Sequence, residues 1–140
     1  MTSPAMTIGW DEPVARAWRL MQAREIRHVP VIDADGRLVG IITDADVREA
    51  VAGLPPHERC VDPVDAPANL VAGKAMTWSA DAVQPETALI EAVRLMHDRR
   101  LTALPVVEGD RVVGILTQTD VTRALIDLLG ARSPAYRCGF

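Results

Sequence analysis

Apolar residues recur at helical spacing in two stretches of the chain. In each stretch they occupy positions i, i+3, i+4 and i+7: Val14, Ala17, Trp18 and Met21 in the first, and Leu89, Ala92, Val93 and Met96 in the second. This spacing predicts two amphipathic helices, each with one buried face. Pro13 is expected at the first helical position of the first helix, and Thr87 at the N-cap of the second.

Two short apolar runs follow the first helix. Residues 29–32 and 38–42 flank a polar turn that contains Gly36, and this arrangement predicts a β-hairpin. Residues 39–42 are all apolar or glycine, which predicts a strand covered on both faces.

A further helix is expected after each hairpin. The first begins near Asp44 and the second near Gln118. The second is expected to run to about Leu129, with Gly130 as its C-cap.

One local pattern occurs twice. Residues 40–46 and 114–120 both read glycine, two aliphatic residues, threonine, two variable residues and aspartate, at an offset of 74. A Pro-Val pair precedes each copy, at Pro30 and at Pro105, with an offset of 75. The offset changes inside the hairpin turn, where one residue is most easily gained or lost. The pattern therefore indicates an internal duplication.

The duplication divides the chain into two units, each predicted to run strand, helix, hairpin, helix. We place the first unit at residues 1–52, a connection at 53–69, the second unit at 70–130 and a tail at 131–140. The connection is expected to be irregular because it contains four prolines. Units of this size bury too little surface alone, so the two are expected to pack together.

Composition excludes several classes of protein. The formal net charge of −4 supplies no basic field for nucleic acid or an anionic membrane. Two cysteines are too few for a disulfide framework, and no apolar run approaches the roughly 20 residues of a membrane helix. The first ten residues lack the features of a secretory signal, so a cytoplasmic location is expected.

The duplicated residues resemble the cystathionine β-synthase (CBS) domain family in its tandem arrangement, the Bateman module. The family pattern is Met-Thr, Ala…Leu-Met, Pro-Val, a turn, and Gly-aliphatic-aliphatic-Thr/Ser-x-x-Asp. The matching residues are Met1-Thr2, Ala17, Leu20-Met21, Pro30-Val31, Gly36 and Gly40 to Asp46 in the first copy, and Met76-Thr77, Ala92, Leu95-Met96, Pro105-Val106 and Gly114 to Asp120 in the second.

The resemblance implies an α+β fold in which two βαββα units, related by a pseudo-twofold axis, pack through their sheets into one compact module. It also implies two clefts between the repeats that bind adenine nucleotides or related adenosyl compounds, and a homodimer. The ligand-binding candidates that it implies are Thr43, Asp46, Thr117, Asp120, Gly40, Gly114, Arg27, His28, Ile8, Val83, Pro30 and Pro105.

The residue types of the Thr-x-x-Asp pattern also indicate a binding role, independently of the family resemblance. A helix start exposes unpaired backbone N–H groups that suit phosphate, and a threonine hydroxyl adds a donor. An aspartate one turn later can accept hydrogen bonds from a ribose diol. The alternative is a capping box, which stabilises the helix by about 0.5–2 kcal/mol without any ligand. The two roles are compatible, since the threonine can cap an empty site.

The two copies differ where the second strand begins. The first copy has Arg27 and His28, and the second has Thr102 and Ala103 at these positions. In the family, basic residues here often meet phosphates, so the resemblance implies two unequal phosphate sites. The alternative is a solvated pair beside a strand.

The leading hypothesis is a stand-alone regulatory module that binds AMP, ADP, ATP or S-adenosylmethionine and signals to a separate protein. No catalytic constellation is apparent, so catalysis is not expected, and no cofactor is required. His57 and Cys60 lack partners for a metal site. The alternatives are a structural module that dimerises or docks a partner with empty clefts, and a magnesium-responsive module.

Overall fold

A computed structural model describes residues 6–78 and 81–132. Its helices and strands, in chain order, are β1 (Ile8–Gly9), α1 (Val14–Arg24), β2 (His28–Ile32), β3 (Leu38–Thr43), α2 (Asp44–Ala52), α3 (Ala72–Ala75), β4 (Thr77–Trp78), α4 (Leu89–Arg99), β5 (Ala103–Glu108), β6 (Arg111–Thr117) and α5 (Gln118–Arg132). Two short 3-10 helices, Pro56–Glu58 and Pro63–Asp65, lie in the connection. The expectations for Met1-Thr2 and for the segment after residue 132 fall outside the described residues.

The predicted α+β fold with two related units is confirmed. β2 pairs antiparallel with β3, and β5 pairs antiparallel with β6, so both hairpins form. Ile8 pairs with Val31 in a parallel arrangement, and Val83 makes the equivalent parallel bridge to Val106. The duplication in the sequence is therefore also a duplication in the pairing of the strands.

The beginning of the second unit pairs with the sheet of the first. β4 lies antiparallel to β3, with Trp78 opposite Gly40 and Thr77 opposite Ile41. The first sheet thus has four strands in the order β1-β2-β3-β4, and the second has β5 and β6. A side chain at Gly40 would collide with the backbone oxygen of Thr77, so glycine is required for this close approach.

The buried apolar residues form two clusters, and the first extends from the first unit to Ala72 and Met76 at the beginning of the second. The first cluster includes Met21, Val29 and Ile42, and the second includes Met96 and Leu104. The units are therefore joined both by this apolar packing and by the pairing of β4 with β3.

The hairpin turns also join the units. The backbone N–H of Leu38 donates to the carbonyl oxygen of Asp110 at 3.1 Å. An ion pair of 3.7 Å connects Arg37 with Asp110, but both side chains are more than half exposed, so its contribution to stability is small.

Two predicted helix starts were wrong by one residue. Pro13 is the N-cap of α1 and not its first helical residue, because its bridge to Val71 holds it in an extended conformation. Ala88, and not Thr87, is the N-cap of α4. The Thr87 hydroxyl instead accepts a hydrogen bond from the Gln84 N–H at 3.1 Å, which places it in the preceding turn.

Two further local predictions also failed. Gly130 is not a C-cap, since α5 continues to Arg132. β3 is not covered equally on both faces: Gly40 and Ile42 are buried, whereas Val39 and Ile41 are half-buried.

We expect Gly40→Ala to lower the free energy of unfolding by about 1–3 kcal/mol, because the added methyl group must push β4 away from β3. The matched control is Gly130→Ala, where no atom lies within 4 Å of the added group and the residue is helical. This control should raise stability by roughly 0.5–1 kcal/mol. Chemical denaturation measures both changes, and equal effects of the two variants would contradict the proposed role of Gly40.

Candidate functional site

The first Thr-x-x-Asp motif forms the start of α2. The Thr43 N–H donates to Asp46 Oδ2 at 2.9 Å, and the Asp46 N–H donates to Thr43 Oγ1 at 3.1 Å. These two bonds form a complete capping box, and both side chains are half-buried. The motif therefore has a structural role without any ligand.

The second motif repeats this geometry at the start of α5. The Thr117 N–H donates to Asp120 Oδ2 at 2.9 Å, and the Asp120 N–H donates to Thr117 Oγ1 at 3.3 Å. The Thr117 hydroxyl also lies 3.0 Å from Asp120 Oδ2. The capping alternative is thus observed in both copies, and it leaves the ligand-binding prediction open.

A side-chain hydrogen bond joins the two units beside these motifs. His28 Nε2 lies 2.7 Å from Thr102 Oγ1. His28 is directly opposite Thr43 in the β2–β3 pairing, and the Thr102 carbonyl accepts from the N–H of Gln118 at the start of α5. One hydrogen bond therefore connects the strand ends that support both helix starts.

The charge around His28 differs from that at the equivalent position of the second unit. Burial lowers the pKa of His28 from its ordinary value, and Arg27 acts in the same direction, while Asp44 and Asp46 oppose this shift. Asp44 also pairs with Arg48 at 3.3 Å. The second unit has Gln118 in place of Asp44, so the first helix start carries more charge of both signs.

The remaining candidates are divided between surface and core. Arg27 is exposed and able to meet a ligand, whereas Gly114 is buried within β6. The side chains of Pro30 and Pro105 are fully buried. The Pro105 carbonyl already accepts from the Val83 N–H at 3.0 Å.

Ile8 and Gly40 are also part of the core. Ile8 is buried in the first apolar cluster, and the space beside Gly40 is occupied by β4. Among the candidates, the polar side chains at the two helix starts and at the beginning of β2 are therefore those best placed to contact a ligand.

Sequence reasoning did not identify Thr102 as a partner of the site. The only signal was its position, since it occupies in the second copy the place of Arg27 in the first. A pseudo-twofold arrangement brings equivalent strand ends together, and this makes Thr102 the neighbour of His28.

The tryptophans mainly contact other parts of the fold. The rings of Trp10 and Trp78 lie 6.5 Å apart, and Trp78 Nε1 donates to the Gly73 carbonyl at 2.8 Å. Trp18 lies beneath the Arg48 guanidinium, 5.2 Å from the ring centre.

Two βαββα units with a Thr-x-x-Asp motif at each second helix start define a duplicated module with paired candidate ligand sites. The family model named CBS domain matches this chain at residues 1–53 and 72–127. The chain therefore belongs to the CBS domain family and forms a tandem CBS pair.

Other proteins resemble this chain in sequence, and solved structures resemble it in fold. A CBS domain-containing protein of Dictyostelium discoideum is 29% identical over 130 residues, covering 92% of this chain and 90% of that protein. The structure of CBSX2 in complex with AMP is 28% identical, with a TM-score of 0.73 and coverage of 91% and 93%.

The CBS domain pair of protein MJ0100, in complex with 5′-methylthioadenosine and S-adenosyl-L-methionine, is 25% identical, with a TM-score of 0.74 and coverage of 89% and 93%. Other curated relatives are longer proteins, among them homoserine O-acetyltransferases, of whose length this chain spans 19% to 23%.

Within residues 6–78 and 81–132, no helix is long and apolar enough to cross a bilayer. The same residues contain no group of three or more His, Cys, Asp or Glu side chains arranged to hold a metal ion. Cys60 is a free thiol.

We expect stability to fall as the pH drops below 6.5, the ordinary pKa of histidine, because the unfolded chain takes up the proton of His28 before the folded protein does. The loss should level off below the lowered pKa of the folded state. His28→Gln removes this titration and should make the pH dependence of unfolding shallower. Urea denaturation across this range measures the effect, and parallel pH profiles for both proteins would contradict it.

Proposed function

We propose that this chain is a regulatory CBS pair that binds an adenosyl ligand between its repeats and signals to a separate protein. The ligand is AMP, ADP, ATP or S-adenosylmethionine. The observation that carries this proposal is the linkage of the two Thr-x-x-Asp helix starts through the His28–Thr102 hydrogen bond.

The capping boxes are compatible with this ligand. An ionised carboxylate has about four acceptor sites, so a cap that uses Asp46 Oδ2 leaves capacity for ribose hydroxyl groups. The start of α2 adds the helix dipole, and Arg27 with His28 adds donors for phosphate. Phosphate and ribose are adjacent in a nucleotide, which matches the placement of these groups.

The two sites are proposed to differ in the ligand that they prefer. The first has Arg27 and His28, so it suits a ligand with phosphate groups. The second has Thr102 and Ala103 at these positions and suits an adenosyl group without phosphate. Similar structures contain AMP in one case, and 5′-methylthioadenosine with S-adenosyl-L-methionine in another, which supports both kinds of ligand.

Ligand binding would act on the contact between the repeats. A phosphate that bonds to His28 competes with Thr102 for the same ring nitrogen. The ligand would then bind with different affinity to arrangements with and without the His28–Thr102 bond, and such a difference is what shifts a conformational equilibrium.

The remaining parts of the proposal are a homodimer, a cytoplasmic location, and unit boundaries at 1–52, 53–69, 70–130 and 131–140. We propose no catalytic activity, no nucleic-acid partner and no membrane partner for this segment.

A structural module with empty clefts is the second candidate. Both capping boxes are complete without a ligand, and this observation favours it. Calorimetry with the four ligands separates the two candidates, because a folded protein that is silent with all of them would support the structural role.

We expect Asp46→Asn and Asp120→Asn to weaken ligand binding by about 10–100-fold at their own sites, since each removes a charged acceptor of hydrogen bonds. Asparagine retains an oxygen that can accept from the threonine N–H, so the helix start should remain. Isothermal titration calorimetry measures affinity and stoichiometry, and circular dichroism checks the fold. Unchanged binding in both variants would reject these residues as ligand contacts.

We expect His28→Gln and Arg27→Gln to weaken AMP binding at the first site but to change S-adenosylmethionine binding little, because only AMP carries phosphate. Each lost hydrogen bond to the charged phosphate should cost about tenfold in AMP affinity. Thr102→Val is the matched variant in the second unit, since it removes the partner of His28 but no phosphate donor of the first unit. Equal losses for both ligands would argue against a phosphate role for Arg27 and His28.

A further inference from the structure

The chain has three histidines, and His28 is the one that bonds to a residue of the other unit. It is half-buried at the start of β2, and its Nε2 lies 2.7 Å from Thr102 Oγ1. His57 lies in the connection, where its side chain is 78% exposed, and His97 lies in the last turn of α4. The protonation state of His28 can therefore affect both the first candidate site and the contact between the units.

The charged groups of the first unit act on the His28 ring in opposite directions. Burial lowers the pKa of His28, and Arg27 adds to this effect. Asp44 and Asp46 raise the pKa, but they do not outweigh burial. Asp44 is also paired with Arg48 at 3.3 Å, and Asp46 is engaged in the capping box of α2. Without a ligand, the ring is therefore mainly neutral at pH 7.

The contact that the second unit makes with the ring is uncharged. Thr102 is the partner of Nε2, and its carbonyl accepts from the N–H of Gln118 at 3.0 Å. The nearest charged residues along the chain are Arg100, at the end of α4, and Asp120, in the first turn of α5. Neither of them is among the groups that shift the pKa of His28. The ring therefore lacks the additional negative charge that would hold a proton on it.

A bound phosphate would supply this charge. A phosphate monoester carries about −1.5 to −2 charges at pH 7. His28 lies opposite Thr43, which caps the start of α2, so a phosphate at this helix start is beside the ring. An opposite charge at close range favours the protonated imidazole and raises its pKa, most strongly in partly buried surroundings. A ring that is neutral without ligand is thus expected to take up a proton when phosphate binds.

Hydrogen bonding acts in the same direction. The oxygens of a phosphate dianion only accept hydrogen bonds, so the ring must present an N–H group to them. A neutral imidazole has one N–H group and a protonated imidazole has two. A hydrogen bond between a charged donor and a charged acceptor is also stronger than one from a neutral donor. Charge and hydrogen bonding therefore both favour a protonated His28 in the complex.

We infer that a phosphate-bearing ligand binds to the first site together with a proton from solution, which His28 takes up, so that this site binds AMP more tightly as the pH falls. This inference rests on the proposed function and adds the regulation of its first site by pH. The sign follows from linkage, because binding that takes up protons is strengthened when protons are more abundant.

The second site provides an internal comparison. Ala103 stands where the first unit has His28, and Thr102 stands where it has Arg27. A ligand without phosphate has no negative charge to place beside His28, so its binding at either site is expected to leave the ring neutral. The proton uptake is therefore specific to the first site and to ligands that carry phosphate.

Isothermal titration calorimetry of the full chain, in several buffers at one pH, tests this inference. The observed enthalpy depends on the ionisation enthalpy of the buffer only when protons are exchanged. We expect AMP to bind with an uptake of roughly half a proton or more at pH 7, and its affinity to fall about fivefold between pH 6.5 and 8.5. 5′-Methylthioadenosine, which has no phosphate, is the control ligand and should show neither effect. Lower pH is avoided because the phosphate itself takes up a proton near about pH 6.

Three variants identify the group that takes up the proton. His28→Gln should abolish the uptake and flatten the pH dependence of AMP affinity. Arg27→Gln is the matched control, since it removes a fixed charge: the affinity should fall about tenfold while the uptake remains. His28→Lys is positively charged throughout this pH range and should bind AMP without proton uptake. Circular dichroism checks each fold, and an NMR titration of the wild-type histidines should show that AMP raises the pKa of His28.

Four outcomes would overturn the inference. They are AMP binding without proton uptake, uptake that persists in His28→Gln, uptake of the same size with 5′-methylthioadenosine, and a protein that binds S-adenosylmethionine but not AMP. Each of them leaves the proposed binding of an adenosyl ligand in place, since a ligand is bound. A folded protein that binds none of AMP, ADP, ATP and S-adenosylmethionine would reject the proposed function together with the proton uptake.

Discussion

The pairing of β4 with β3 is the contact on which the arrangement of the two units depends. The apolar cluster of the first unit includes Ala72 and Met76 from the beginning of the second, so apolar burial brings the segment before β4 against the first unit. The pairing of Thr77–Trp78 with the middle of β3 then requires the absence of a side chain at Gly40. This pairing fixes the beginning of the second unit against the sheet of the first.

The Thr-x-x-Asp motifs show how one set of atoms can serve both folding and binding. Thr43 and Asp46 satisfy backbone donors at the start of α2 in the absence of ligand. This keeps the hydroxyl and the carboxylate in fixed positions, so a ligand would meet groups that are already oriented. Preorganisation of this kind lowers the entropic cost of binding.

Duplication gave two similar units, but the connection between them made their environments different. It crosses α1 and α2 and covers the outer surface of the first unit, while the equivalent surface of α4 and α5 stays exposed. The helix starts differ as well, because Arg27, His28 and Asp44 have uncharged counterparts in the second unit. The two units of a pseudo-symmetric fold thus differ locally, with more charged side chains around the second helix start of the first unit and more exposed apolar side chains on the helices of the second.

The sequence by itself determined the duplication, the two hairpins, the amphipathic helices and the two helix starts with their threonine and aspartate. These features depend on spacing within one turn or one hairpin, where local geometry is nearly fixed. The starts of α1 and α4 were predicted one residue too early, because Pro13 and Thr87 make contacts outside their helices. The end of α5 was also predicted too early, because Gly130 lies within the helix and does not end it.

The tertiary structure alone decided the pairing of β4 with β3, the hydrogen bond between His28 and Thr102, and the burial of one helix pair beneath the connection. The first two join residues that are more than 30 positions apart, and the third folds the connection back onto α1 and α2; many partners are compatible with the same local pattern. Which partner is chosen depends on backbone hydrogen bonding and on close approach at Gly40, and these act only once the chain has folded.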